Sequence, residues 1–294
     1  MRRRALLALP LGLATPALAQ GMPRLVVAGG GIAEIVCALG ARGAIVGADS
    51  TSLFPTDLRQ LPQIGYLRAL SAEGVLSLQP GLLLLAHEAG PPPAIAQLRA
   101  AGVNIIRAPR IESPETLMQA VTVVAEALSR EARGQALNAA LAEDFAALAA
   151  SLPRPATPPS ALFLLAAGSG APMASGRGTS AEAMLRLAGA RSAIQSYEGY
   201  RAVTAEAALA AAPDWVVAPS HTVDASGGVA SFLAQPQLSL LPAARAGRLV
   251  TFDSLYMLGF GPRTAHAARD LAVALHARPD LAALPDRPWL RGAA

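Results

Sequence analysis

The sequence predicts an α/β protein: two Rossmann-like lobes joined by a long backbone α-helix. Three observations carry that prediction. Short apolar runs alternate with helix-patterned segments through both halves of the chain. An alanine-, leucine- and glutamate-rich stretch over residues 113–152 separates the halves. The halves also echo one another. Gly65-Tyr66, Ser71-Ala72-Glu73 and Pro80 return as Gly199-Tyr200, Thr204-Ala205-Glu206 and Pro213, with the two glutamates and the two prolines each 133 positions apart.

Residues 1–19 are expected to be a secretory signal peptide. Arg2, Arg3 and Arg4 give a positive start, Ala5 to Leu18 is an apolar run broken by Pro10 and Pro16, and Ala17-Leu18-Ala19 supplies the small-x-small cleavage pattern. The run is too short and too interrupted to span a bilayer. The paired arginines leave both general and twin-arginine export open. No cysteine lies near the cleavage point, so a lipid anchor is not expected, and the mature protein should be a periplasmic monomer.

The N-terminal lobe is placed at 22–112. Leu25 to Ala28 reads as a strand, Gly29-Gly30-Gly31 as a tight loop, and Ala33 to Leu39 as a helix closed by Gly40. Ala44 to Gly47 is the next strand. Ser71 caps a short helix to Leu78, and the strand Leu82 to Ala86 follows Pro80. Ile95 to Ala101 is helical, and Asn104 to Arg107 is a strand. Ser113-Pro114-Glu115 is a helix start with a cap, a first-turn proline and an acid. The helical segment 113–152 runs on nearly unbroken, with one break expected near Arg133-Gly134, and is long enough to act as a strut between lobes. The C-terminal lobe is placed at 160–294, opening on the strand Leu162 to Ala166 and including the strand Val216 to Pro219. A duplicated lobe with a helix between copies implies a cleft where the copies meet.

Composition excludes several classes of function. All 24 basic residues are arginine, against 20 acids, and removal of the leader lowers the formal charge from +4 to +1. No basic run survives in the mature part, which argues against a nucleic-acid partner. Lone Cys37 sits in an apolar helical pattern and reads as a core thiol. No later segment is long enough to span a membrane. Gly29-Gly30-Gly31 fits neither the dinucleotide fingerprint nor the lysine-requiring P-loop. Gly168-Ser169-Gly170 lacks the spacing of a nucleophile elbow. No Cys/His cluster has zinc spacing, and no acid–base pair or redox centre suggests an enzyme.

Several segments resemble the helical-backbone class of periplasmic binding proteins. These are Val26 to Gly40, Met173-Ala174-Ser175-Gly176-Arg177-Gly178-Thr179, Gly259-Phe260-Gly261-Pro262-Arg263-Thr264 and above all Ile64-Gly65-Tyr66-Leu67-Arg68-Ala69-Leu70-Ser71-Ala72-Glu73. The last is similar to the haem-binding branch. The resemblance implies a receptor that captures haem b as transported ligand and delivers it to an ABC importer, a permease dimer with its ATPase subunits. A cobalamin or ferric-siderophore receptor of the same fold is the alternative.

In that branch the tyrosine of the Gly-Tyr-x-Arg segment supplies the axial oxygen to ferric iron, which assigns the role to Tyr66. A phenolate is a hard anionic donor suited to Fe(III), and a cation beside it favours the charged form. Arg68 lies two positions on and is expected to share its face in an extended segment, stabilising the phenolate or pairing with a propionate. His87 and His221 follow the central strands of the two lobes, at the end where such lobes present ligand loops. Either could meet the second face of the iron, or lie in solvent. The branch often carries an arginine near position 221, so this chain departs from its pattern there. Arg177 is a candidate propionate partner, and Tyr200, the repeat partner of Tyr66, a candidate to stack on or hydrogen-bond the ligand. His266 and His276 are expected on the surface of a C-terminal helix. Glu73 and Glu206 each follow a Ser or Thr cap, which by itself is ordinary helix capping. The resemblance implies that they dock onto arginines of the two permease subunits.

Overall fold

The computed structural model describes residues 22–166 and 172–291. The expected leader, 1–19, and Gly168-Ser169-Gly170 lie outside the described residues. The chain opens with β1 (Leu25–Ala28), α1 (Gly30–Ala38), β2 (Ile45–Ala48), a hairpin of β3 (Gly65–Tyr66) and β4 (Ala69–Leu70), α2 (Ala72–Ser77), β5 (Leu82–Leu85), α3 (Pro92–Ala100) and β6 (Ile105–Arg107). Four of these strands form a parallel sheet ordered β2-β1-β5-β6. Every residue of β1 and β5 is buried, as continuous apolar strands must be when a parallel sheet is covered on both faces.

Two helices follow, α4 (Pro114–Ala127) and α5 (Glu131–Ser151). Ser113 and Thr116 cap α4 reciprocally: the Ser113 hydroxyl accepts from the Thr116 N–H, and the Thr116 hydroxyl accepts from the Ser113 N–H. The expected break at Arg133-Gly134 is corrected. It falls at Leu128-Ser129-Arg130, where Ser129 takes a left-handed φ of 53°. Gly134 lies inside α5, where a Cβ would come within 2.5 Å of the Ala125 Cβ. That glycine lets α5 cross closely over α4, so a residue that reads as a breaker in sequence acts as a packing site. The segment is therefore a packed helix pair and not a single strut. The 21 residues of α5 span about 31 Å. Its N-terminal half packs on α4, which in turn lies on α1.

The second half contains β7 (Ser160–Ala166), β8 (Met173–Ser175), α6 (Ser180–Leu187), β9 (Arg191–Ser192), β10 (Tyr200–Ala202), α7 (Ala205–Ala211), β11 (Trp215–Pro219), α8 (Ser220–Ala225), α9 (Val229–Leu233), α10 (Pro242–Arg245), β12 (Leu249–Phe252), α11 (Ser254–Leu258) and α12 (Thr264–Leu275). Its parallel strands run β9-β7-β11-β12, with β8 and β10 added antiparallel. In chain order this is the arrangement of the first sheet, second-first-third-fourth, so the repeat read from the residues is also a repeat of topology. Helix α12 packs on α5, which ties the second sheet's helical layer to the connecting pair. Arg287, in the C-terminal tail, adds a clamp: its guanidinium donates to the fully buried Asp144 carboxylate of α5 at 2.7 and 3.0 Å.

The lobes touch through α1. Gly30 and Gly31 belong to its first turn, which corrects the reading of all three glycines as a loop. Only Gly29, at φ 123°, is the turn residue. A Cβ on Gly30 would overlap the Thr51 carbonyl and the Leu255 side chain, and one on Gly31 would overlap the Gly259 carbonyl. Gly31 thus permits a backbone-to-backbone contact between the lobes, and Gly30 admits the Leu255 side chain of the second lobe beside the Thr51 carbonyl of its own.

Candidate functional site: the cleft between the lobes

With the lobes joined at α1 and residues 255–261, the loops after β5 and β11 stand above that contact. Tyr66 sits on the two-residue hairpin β3–β4, where it pairs with Ala69. Gly65, at φ 100°, makes the left-handed entry to the hairpin. Ile64, Leu67 and Leu70 are buried and anchor it, while Tyr66 projects with 48 % of its surface exposed. The hairpin is tied to the loop after β5: the Gly90 N–H donates to the Leu67 carbonyl, and the Leu70 N–H to that of Gly90. That loop also carries exposed His87, whose carbonyl accepts from the Arg107 guanidinium. Tyr66 and His87 therefore belong to one wall.

Arg68 occupies the hairpin turn, not an extended strand, so the expectation that it follows Tyr66 by strand alternation is corrected. Its charge reaches across to the second lobe, where it bears on the Tyr200 phenol. Burial pushes that phenol above its ordinary range, against the Ala181 N–H, the Thr179 hydroxyl and the Arg68 charge, all of which favour the anion. The Tyr200 hydroxyl is thus held at the start of α6, on the accepting side of the Ala181 N–H and the Thr179 hydroxyl, whereas its repeat partner Tyr66 projects. Gly199, at φ 77°, repeats the left-handed entry made by Gly65.

Arg177 lies beside Tyr200, because the Gly176 N–H donates to the Gly199 carbonyl and Arg177 bridges Glu198. Its guanidinium stands 3.7 Å from the Glu198 carboxylate, and both side chains are more than half exposed. Such a pair is weak and leaves the cation largely free. Exposed His221 opens α8 directly after β11, and its Nδ1 lies 3.0 Å from the Ser254 hydroxyl. Ser254 precedes Leu255, which meets Gly30, so His221 stands near the floor where the lobes touch. Arg177 and Tyr200 share one patch of the second wall, and His221 is placed lower.

The remaining histidines correct the surface expectation. His266 and His276 are half-buried, and their Nε2 atoms each bond a backbone carbonyl at 3.0 Å, of Pro285 and Ala188 respectively. Glu73 and Glu206 stand exposed in the first turns of α2 and α7, equivalent helices capped by Ser71 and Thr204. The Glu206 N–H and the Thr204 hydroxyl hold the Glu206 carboxyl below its usual range, so it is a stable anion.

A cavity of about 490 Å³ also opens at the lobe boundary, lined among others by Phe54, Arg59, Tyr256, Arg263 and Asp270. None of the residues singled out for the ligand lines it. Sequence reasoning passed over the strongest interlobe contact, the buried Glu34–Arg263 pair. The available signal was Glu34 itself, a carboxylate in the otherwise apolar Gly-Gly-Ile-Ala-Glu-Ile-Val-Cys-Ala helix. Among the described residues no group of three or more His, Cys, Asp or Glu is placed to hold a metal ion, and no helix is long and apolar enough to cross a membrane.

The family model described as periplasmic binding protein matches residues 25–256. The chain belongs to the periplasmic binding protein family. Family members are binding proteins and not enzymes, and the two-lobed fold is theirs. Among solved structures, the chain is similar to the periplasmic haem-binding protein BhuT in complex with two haems. The identity is 42 %, the match covers 87 % of this chain and 99 % of that one, and the TM-score is 0.82. It is similar to the haem-binding protein RhuT from Roseiflexus sp. RS-1, in apo form, at 37 % identity with the same coverage and TM-score. A periplasmic haem-binding protein from Pseudomonas aeruginosa matches at 32 % identity, over 91 % of this chain and 97 % of that one, with a TM-score of 0.80. No curated protein sequence matches the chain.

Proposed function

We propose that the protein is a periplasmic haem receptor in which Tyr66 binds the iron of haem held between the lobes. The observation that carries this reading is the placement of Tyr66. Its side chain stands half exposed on an anchored hairpin, and the charge of Arg68 in the same hairpin bears on Tyr200 of the second lobe, which supports a ligand held between the two. A projecting phenol reaches a ligand without displacing core packing, and ferric iron lowers the phenol's affinity for its proton. The matched relatives, described as haem-binding proteins at up to 42 % identity, support the choice of ligand. Haem is cargo here and undergoes no chemical step.

On this reading Arg68 and Arg177 face the propionates, Tyr200 donates a hydrogen bond from the second wall, and His221 or His87 meets the second face. With His221 Nδ1 bonded to Ser254, Nε2, which stands 3.5 Å from the Thr222 hydroxyl, is the atom that would turn to the iron. Glu73 and Glu206 dock the loaded receptor onto a permease dimer with its ATPase subunits. The division into a cleaved leader (1–19), an N-terminal lobe (22–112), a helical connector (113–152) and a C-terminal lobe (160–294), and the monomeric, exported state, belong to the same proposal.

The test is a hemin titration of the purified protein followed by visible absorbance, with cobalamin and a ferric siderophore in parallel. A saturable spectral change with hemin alone is expected, and the molar ratio at its break point gives the number of haems per chain. Saturable binding of cobalamin or the siderophore, with no change on adding hemin, would move the receptor to that cargo.

A further inference from the structure

The geometry points to Glu34 and Arg263 as a positioning latch that fixes the separation of the two cleft walls, so that the width of the cleft is set before ligand arrives. The inference rests on the cleft being the ligand site, as proposed above.

The two residues are 229 positions apart, one on α1 of the first lobe and one at the head of α12 in the second. The Arg263 guanidinium donates two bonds to the Glu34 carboxylate, at 2.6 and 3.0 Å. The side chains are only 12 % and 5 % exposed. The guanidinium also lies 3.7 Å from the Phe54 ring centroid, in the first lobe, and 5.1 Å from that of Tyr256, in the second. Tyr256 is in turn fixed by its hydroxyl bond to Asp270 at 2.9 Å. A fork-to-fork pair is directional, and one clamped between rings of both lobes resists rotation as well as separation.

Two further features make this pair a gauge of wall spacing. A Cβ on Gly261 would lie 2.9 Å from the Glu34 carboxylate, so the partner backbone sits directly on it. The same face of α1 meets Leu255 and Gly259, and Leu255 adjoins Ser254, which holds His221. The latch and the serine that holds His221 are therefore parts of one short segment, 254–263. Parting the lobes at this point must break both bonds of the fork and withdraw Arg263 from between the two rings.

The experiment uses spin labels on Ser77→Cys of α2 and Ala210→Cys of α7, both exposed positions, with interlobe distances measured by double electron–electron resonance with and without hemin. Native Cys37 does not interfere, being buried with its thiol pushed up to about 12. The expected wild-type result is one narrow distance population that hemin leaves in place. Glu34→Gln should broaden it and bring back a ligand dependence. If only about a tenth of variant molecules hold the competent spacing, the hemin Kd rises about tenfold while the absorbance bands of the bound form stay unchanged. Arg263→Lys keeps the charge but loses the planar fork, and it should broaden the distances in a protein that still melts cooperatively. This second variant decides the matter if Glu34→Gln does not fold. A wild-type distance that moves on hemin addition, or variants as narrow as wild type, would overturn the latch. If hemin does not bind at all, the haem reading falls, yet the ligand-free comparison still decides the latch.

Discussion

Tyr66 and Tyr200 occupy equivalent places in the repeat, and their phenylalanine variants should fail in opposite ways. Tyr66→Phe removes a hydroxyl from a side chain that is 48 % exposed. Stability should stay within about 0.5 kcal/mol, the range for surface substitutions, which for a chain of this size is about 1–2 °C in Tm. Hemin binding should collapse. Outer-shell partners of a metal already count for about 10–100-fold in affinity, so loss of the direct ligand should exceed that range. Tyr200→Phe removes a hydroxyl held beside the Thr179 hydroxyl and the Ala181 N–H at the start of α6. The variant should lose about 1 kcal/mol, the net value of one hydrogen bond, or about 2–4 °C in Tm. Its hemin spectrum should keep the wild-type band positions. Thermal melts by circular dichroism and hemin titrations by absorbance on the two variants complete the comparison. Wild-type band positions in Tyr66→Phe, or their loss in Tyr200→Phe, would refute the assignment of the iron ligand.

Other consequences are as direct. Asp144→Ala takes from the Arg287 guanidinium its fully buried carboxylate and leaves it the exposed Glu143 and the Ala140 carbonyl, so urea unfolding should show a loss of about 1.5–3 kcal/mol, the range for a hydrogen bond to a charged group. Asp214 accepts from the Ser160 N–H and hydroxyl, both at 2.8 Å, and the backbone bond holds its carboxyl below the ordinary 3.8. Because its folded pKa lies below the unfolded one, the unfolded chain binds more protons between the two values. The stabilisation is therefore present above 3.8 and lost as pH falls through the folded value. Asp214→Asn should lower Tm at neutral pH, and melts in an acid series should show the gap to wild type closing below that point. Charge reversal at both Glu73 and Glu206 should leave hemin affinity unchanged but abolish stimulation of the ATPase in proteoliposomes holding the importer. Stimulation equal to wild type would remove these glutamates from the docking surface.

Much of the fold was legible because it is written in local signals. The strand Leu25–Ala28 is a buried apolar run next to glycine, and the caps Ser71, Ser113 and Thr204 each hold the bond their position predicts. The repeat spacing anticipated a shared sheet order that no single segment displays. What escaped depends on partners distant in sequence. Gly134 looks like a helix breaker until Ala125 is seen against it. Gly30 and Gly31 look like a loop until Leu255 and the Gly259 backbone of the second lobe are seen in the space of their missing side chains. Glu34 looks like an ordinary helix acid until Arg263 arrives from 229 positions away. At the candidate site, the type of residue and the loop that bears it were readable. Whether a tyrosine projects or is tucked in was not, because that follows from what distant parts of its own lobe pack against it.

On the proposed haem-receptor reading, the repeat would let one duplicated sequence serve two demands that conflict. Docking onto a two-fold permease favours symmetry, and the outer helices α2 and α7 keep it, with the same cap, the same exposed glutamate and the same preceding glycine turn. Binding iron through one phenolate favours asymmetry, and the inner surface departs from the repeat at that point. One tyrosine stands on a hairpin where nothing shields it. Its counterpart continues an antiparallel strand that brings its hydroxyl to the head of α6, where burial keeps it protonated. The added strands β8 and β10, absent from the first sheet, make that difference.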